Sequence, residues 1–220
     1  MVPSVTPHPT LMPLQLMLPT LTPTLYLNTE KVRERNKIIY LITVVEAAVA
    51  IACSLFVIVS YLRFPSLQKR SLELVTMLSF SVLCANLAYI SYETQAATDH
   101  SSMCIAQGFF IQYFYCAIVL WAFTIGCALF SIVVLRDAFI TRRQSHAVVW
   151  TLALGLSLPP LFVDGWFFGT EDSAETDYGN AGPFCWIKND DTFARSLRLG
   201  LFYGPCWVAL VVMTLMIRQV

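Results

Sequence analysis

Residues 104–135 read CIAQGFFIQYFYCAIVLWAFTIGCALFSIVVL, and this stretch decides the fold class. Its apolar part, about 31 residues from Ile105 to Leu135, would rise roughly 45 Å as an α-helix. The hydrocarbon core of a bilayer is about 30 Å thick and takes roughly 20 helical residues, so a segment this long must tilt or project. Backbone groups in hydrocarbon find no water, which leaves helices and closed barrels as the only spanning structures. Barrel strands would be about 9–11 residues long with period-two alternation. The stretch has neither property and reads as a helix. Four others are similar: Ile38 to Leu62, Leu72 to Tyr92, Ala147 to Phe168 and Leu197 to Ile217. The expected fold is an all-α polytopic transmembrane bundle.

Composition agrees. Hydrophobic residues make up 57% of the chain and charged residues 13%, against roughly 45–50% and 25% in soluble domains. The zero net charge and the lack of basic stretches interleaved with aromatics argue against nucleic acid. Residues 1–37 differ in kind, with six prolines in the first 23 positions and no glycine. They read as an extended, disordered tail without the basic and apolar regions of a cleaved signal. Residues 218–220 trail the fifth helix.

Loop charges orient the bundle. Arg63, Lys69 and Arg70 follow the first helix, and Arg136, Arg142 and Arg143 follow the third. The loop from Glu93 to Met103 has no Lys or Arg, and the stretch from Glu171 to Asp191 carries six acidic residues against Lys188 and reads as a solvated face. The positive-inside tendency therefore places the N-terminus outside. Lys31, Arg33, Arg35 and Lys37 before the first helix dissent, and the four loops outweigh that single flank.

Orientation then singles out two of the seven cysteines. Cys53, Cys84, Cys116, Cys127 and Cys206 fall inside apolar segments, whereas Cys104 stands where a loop enters the third helix and Cys185 lies in the next loop on the same, oxidising side. A disulfide is expected there, two free thiols being the alternative. Closing a loop of about 80 residues contributes roughly 4 kcal/mol by chain entropy.

Further landmarks follow in order. They are Tyr61-Leu62-Arg63-Phe64-Pro65-Ser66-Leu67, then Leu78-Ser79-Phe80-Ser81, Cys104-Ile105-Ala106-Gln107-Gly108, Gln112-Tyr113-Phe114 and Leu120-Trp121. Next come Trp150, Pro159-Pro160, Tyr178-Gly179-Asn180-Ala181-Gly182, Cys185-Trp186-Ile187 and Tyr203-Gly204-Pro205-Cys206-Trp207. The series resembles the cyclic-AMP-receptor-like family of G-protein-coupled receptors, and more distantly the secretin-type receptors, over about Ile38 to Ile217. The resemblance implies a plasma-membrane receptor that binds an extracellular ligand and relays the change to a heterotrimeric G protein. It implies Gln107, Gln112 and Trp186 as ligand contacts beneath the Cys185 loop, and Arg136, Arg142 and Arg143 as charges facing the G protein. Two departures stand out. Family members have seven helices where this chain has five, so a fragment or truncated form is expected. Val82 and Leu83 occupy the place of a usual acidic or small polar residue, with Asn86 a turn later.

Each of these residues also has a plainer reading. Gln107 and Gln112 lie about 140° apart around a helix, so both serve one cavity only if that helix is surrounded; otherwise they are interhelical hydrogen bonds. The three arginines can simply set topology and attract anionic lipid. Glu46, an intramembrane carboxylate, must face the bundle or water; it either locks the first helix to a neighbour or lines a polar site. Glu46 and Asn86 together would also suit a small five-helix carrier or channel. Pro159-Pro160 and Pro205 should kink their helices. Catalysis finds no support: His8, His100 and His146 are scattered, no metal-ligand spacing or phosphate loop occurs, and no cofactor is implied. Cys104→Ser and Cys185→Ser should reduce surface expression to the same degree. Unequal losses, with both wild-type thiols open to an impermeant maleimide, would sink the pairing.

Overall fold

The computed structural model describes residues 22–91, 102–136, 141–166, 177–181, 184–187 and 192–219. Residues 1–38 and 39–220 form two compact units. Seven α-helices and one hairpin are present among the described residues: α1 (Thr22–Arg63), α2 (Arg70–Ile90), α3 (Ser102–Phe130), α4 (Arg142–Ser157), α5 (Pro159–Trp166), β1 (Tyr178–Asn180), β2 (Cys185–Ile187), α6 (Thr192–Arg198) and α7 (Gly204–Ile217). They supply five spans long and apolar enough to cross a membrane: Lys37–Arg63, Arg70–Ile90, Ser102–Val134, Arg142–Phe162 and Thr192–Ile217.

Helix α1 begins at Thr22, well before the boundary expected at Ile38. The reason lies in where the prolines stop. Pro23 falls in the first turn, where its missing N–H would be unpaired anyway, and no proline or glycine interrupts the chain from there to Lys37. Residues 1–21, the rest of the expected tail, lie outside the described residues. Within the membrane span, Ala47 and Ser54 are buried one heptad apart, while Leu41, Val45, Val49, Phe56 and Val59 on the other face stay exposed. An apolar face without protein cover is the surface a bilayer solvates.

Helix α3 is the axis of the second unit, packing against α2, α4, α7 and both strands. Its middle joins a core of Leu74, Cys116, Ala117, Trp121, Val149 and Ala153. It ends in a π turn, Ser131–Leu135, and the chain leaves through Arg136 with φ 54°. Together these match the length expected for Ile105 to Leu135.

The fourth span differs at both ends. Helix α4 starts at Arg142, ahead of Ala147, because Thr141 and Gln144 form a capping box. Arg142 and Arg143, expected in the loop, therefore occupy the first helical turn. At the other end, Pro159-Pro160 ends α4 and starts α5. Neither proline can donate to the preceding turn, and Leu161 N–H bonds Leu158 at 2.9 Å instead of reaching back to Ser157. The expected end at Phe168 lies outside the described residues.

Pro205 acts similarly in the fifth span. The turn before it, Leu199–Tyr203, is a π turn between α6 and α7. The helix begins at Thr192, earlier than the expected Leu197, and takes Arg195 into α6. Replacing the cap with Thr141→Ala should cost roughly 1 kcal/mol, measured as unfolding free energy in detergent titration.

Candidate functional site

The loop before Cys185 folds into an antiparallel hairpin that pairs Tyr178 with Ile187, Gly179 with Trp186, and Asn180 with Cys185. Cys104 and Cys185 form the expected disulfide, with Cα atoms 5.3 Å apart, and both are fully buried. Gln107, one turn further along α3, accepts from Cys185 N–H at 3.0 Å and donates to the Ala88 and Tyr89 carbonyls of α2 at 2.9 and 3.2 Å. Gln112 accepts from the Trp186 indole at 2.8 Å and donates to Leu201 at 3.4 Å. Leu201 carries the carbonyl that Pro205, four residues on, cannot serve. The two glutamines do point in different directions, and α3 is surrounded as that requires. Their amide nitrogens and oxygens are engaged by protein, which is the hydrogen-bonding arrangement of the two alternatives. Trp186, the third expected ligand contact, is half-buried and lies under Arg198, whose guanidinium is 4.8 Å from its ring and also bonds the Ile187 carbonyl.

Tyr178 completes the fastening. Its hydroxyl donates at 2.8 Å to Ser157, the carbonyl left by Leu161 at the proline pair. Burial, with a smaller contribution from Cys116, raises its pKa above the usual phenol range, so it remains a neutral donor. Asp177, expected on a solvated acidic face, is buried and bonds the Pro160 carbonyl through its backbone N–H at 3.0 Å. The cause is its place between the α5 start and Tyr178, which draws the chain onto the bundle. Residues 171–176 and 188–191 of that face lie outside the described residues.

Beside the hairpin is a polar cavity of about 140 Å³ lined by Thr43, Glu46, Asn86, Tyr89, Tyr115 and Phe184. It brings together Glu46 and Asn86 from different helices, and it excludes Gln107, Gln112 and Trp186. Of the aromatic members, the sequence marked Tyr115 only as packing, and Tyr89 escaped it. Tyr89 packs edge-to-face on Tyr115 at 5.6 Å and on Phe184 at 4.9 Å. A signal was available, since Asn86 and Tyr89 share a helix face at i, i+3, as do Thr43 and Glu46.

The opposite end of the bundle holds a second polar group that sequence reasoning also missed. Glu73, buried in the first turn of α2, is bonded by Arg142 and by His146 Nε2, the latter at 3.2 Å. Arg142 and His146 are four residues apart and share one face of α4. His146 in turn lies edge-on to Trp121 at 5.1 Å. All three arginines are exposed, and Arg142 alone among them is tied to α2 by an ion pair among the described residues. An apolar groove of about 220 Å³ lies between Leu129 and Phe130 of α3 and Met213 and Met216 of α7. No cluster of three or more His, Cys, Asp or Glu placed to hold a metal occurs among the described residues.

Gly108 sits where the hairpin touches α3. A Cβ there would lie 2.8 Å from Tyr178 Cδ1 and 3.3 Å from Trp186 Cα. Gly108→Ala should therefore cost about 1–3 kcal/mol and speed reduction of the disulfide. Gly155→Ala, whose Cβ would meet nothing within 4 Å, should do neither; both are read from unfolding midpoints and thiol release.

This geometry has relatives. The chain is 26% identical over 136 residues to an ascaroside receptor, GPR3, of Arthrobotrys oligospora, covering 62% of this chain and 31% of that protein. It is 24% identical over 170 residues to cyclic AMP receptor-like protein A of Dictyostelium discoideum, covering 76% and 41%. The chain thus spans less than half the length of these curated relatives. Squid rhodopsin shares the fold with a TM-score of 0.59 at 16% identity, over 84% of this chain and 57% of that one. The family model for seven-transmembrane receptors of the secretin family matches residues 36–220. The chain is an integral membrane protein belonging to the secretin family of seven-transmembrane receptors.

Proposed function

We propose that this chain is the ligand-receiving part of a G-protein-coupled receptor in the plasma membrane, with its N-terminus and disulfide end outside. An extracellular ligand enters the disulfide end, and the shift it causes in α1, α2 and α3 passes along the helices to the opposite end. There Arg136 and Arg143 face a heterotrimeric G protein. Arg142 is assigned a supporting part, because its charge is already held by Glu73. The observation that carries this reading is the hairpin, tied to α3 through Cys104–Cys185 and bordering a polar cavity through Phe184. A fastened cover beside a small opening suits capture of a solute better than simple helix packing.

The arrangement also explains how an event at one end reaches the other. Gln107 links the hairpin to the last turn of α2, and Glu73 links the first turn of α2 to α4. A displacement of α2 along its axis would strain both sets of bonds. The relay is a differential effect: a ligand shifts the bundle only as far as it binds one arrangement better than the other.

One observation favours a second reading. Glu46 and Asn86 line the same cavity, and intramembrane ionisable groups mark transport routes. A small carrier or channel would use that pair.

The test is co-isolation of a purified heterotrimeric G protein with the full chain in lipid nanodiscs, beside a proteoliposome flux assay. The receptor reading expects association that weakens about tenfold when Arg136→Ala and Arg143→Ala are combined, each surface charge contributing roughly 1 kcal/mol at most. Ion-dependent flux without G-protein association would instead establish the carrier.

A further inference from the structure

We infer that the cavity lined by Thr43, Glu46, Asn86, Tyr89, Tyr115 and Phe184 receives the ammonium group of a small organic cation; this rests on the receptor reading above. Three features of the lining point to that chemistry.

The first is charge. Glu46 carries the one formal charge among the six lining residues. It makes no ion pair or hydrogen bond among the described residues. A carboxylate within a membrane span is costly without a counter-charge or water. The second is donor accounting. Thr43 spends its hydroxyl hydrogen on the Ile39 carbonyl at 2.9 Å. Asn86 directs one of its two amide hydrogens to the Val82 carbonyl at 2.8 Å. Each therefore leaves an oxygen, an acceptor, for an occupant. Together with Glu46 these groups present three acceptors, against the one N–H that Asn86 retains. The third is the wall. Tyr89 packs edge-to-face on both Tyr115 and Phe184, so three rings line the cavity, and aromatic faces attract cations, quaternary ammonium above all.

Size limits the ligand further. About 140 Å³ is close to the volume that admits a benzene-sized guest and far below the roughly 300–1,000 Å³ of pockets that take drug-sized molecules. The cavity holds a head group, and the rest of the ligand extends beyond it. The same lining disfavours anions: a phosphodiester such as that of cyclic AMP would meet Glu46 with no Lys, Arg or His to offset it. Sharing a cavity with the residue next to Cys185, the bound head group would also touch the hairpin's edge.

A quaternary ammonium has two natural sources, a soluble molecule and the choline head of a phospholipid, and the experiment separates them. The full chain is placed in phosphatidylglycerol nanodiscs and titrated with tetramethylammonium, following the thermal unfolding midpoint, which rises as a ligand binds the folded state. The expected result is a saturable rise, absent with the similarly sized neutral tert-butanol and with cyclic AMP. Glu46→Gln should weaken it at least about tenfold, and Tyr115→Phe, which keeps the ring, less than about twofold. Phe184→Leu lies outside every helix and should weaken it about threefold or more; it decides the matter if Glu46→Gln does not fold. In phosphatidylcholine nanodiscs, a weaker apparent affinity assigns the site to the lipid head, and an equal one assigns it to a soluble cation. The inference is overturned by no saturable rise, by an equal response to tert-butanol, or by Glu46→Gln and Phe184→Leu both binding as wild type. G-protein association in the same nanodiscs separates the two readings. Association without ammonium binding removes the ligand class alone, while ammonium binding without association leaves the cavity assignment and removes the receptor.

Discussion

Inside a bilayer a backbone carbonyl that loses its donor has no water to turn to, so the protein must supply another. Two such carbonyls govern the disulfide end of this molecule. Pro159-Pro160 tightens the chain so that Leu161 bonds Leu158, and the freed Ser157 carbonyl is met by the Tyr178 hydroxyl. Pro205 has no hydrogen for Leu201, and Gln112 of α3 takes that place. Both replacements come from groups that also hold the hairpin, since Tyr178 belongs to β1 and Gln112 grips Trp186 of β2. The prolines that break the fourth and fifth spans thus help to pin the hairpin over the bundle.

The disulfide is one member of this set. Around Cys104–Cys185, Gln107 satisfies the Cys185 N–H, Gly108 leaves room for Tyr178, and Arg198 closes the far side on Ile187 and Trp186. Each polar contact is worth little net, and leaving one partner buried and unmet costs about 1–3 kcal/mol. The hairpin is therefore held cooperatively. Its position also sets the cavity, because Phe184 precedes Cys185 directly and rests against Tyr89, whose carbonyl accepts from the Gln107 amide. At the other end Glu73, Arg142 and His146 join α2 to α4 with a charged cluster. Helix α2 is gripped at both ends, and α3 runs beside it for its whole length.

Much of this was legible before any coordinates. Five spans, the disulfide and the two proline interruptions all follow from local chemistry: apolar run length, loop charge, cysteine placement and missing donors. That the third helix is central came only with the packing. The start of α4 was legible too, in Thr141-Arg142-Arg143-Gln144, a capping box that reading the arginines as loop charges concealed. The start of α1 at Thr22 follows from where the prolines end. Gln107 and Gln112 are different. Their identity marked them as important, but an amide can serve a ligand or a carbonyl equally well, and only its neighbours decide.

The sequence by itself determined that this chain crosses a membrane as helices, which way its charges bias it, and which thiols meet. These depend on the solvent, bilayer or water, that each residue type prefers, and that preference is written residue by residue. The tertiary structure alone decided which polar groups face one another. Glu46 and Asn86, two isolated polar residues along the chain, share a cavity with three rings. Glu73, unremarkable in a first turn, is buried between an arginine and a histidine some seventy residues away. Such meetings are set by how far each helix slides and turns against the next, a matter of packing between segments that no single segment encodes.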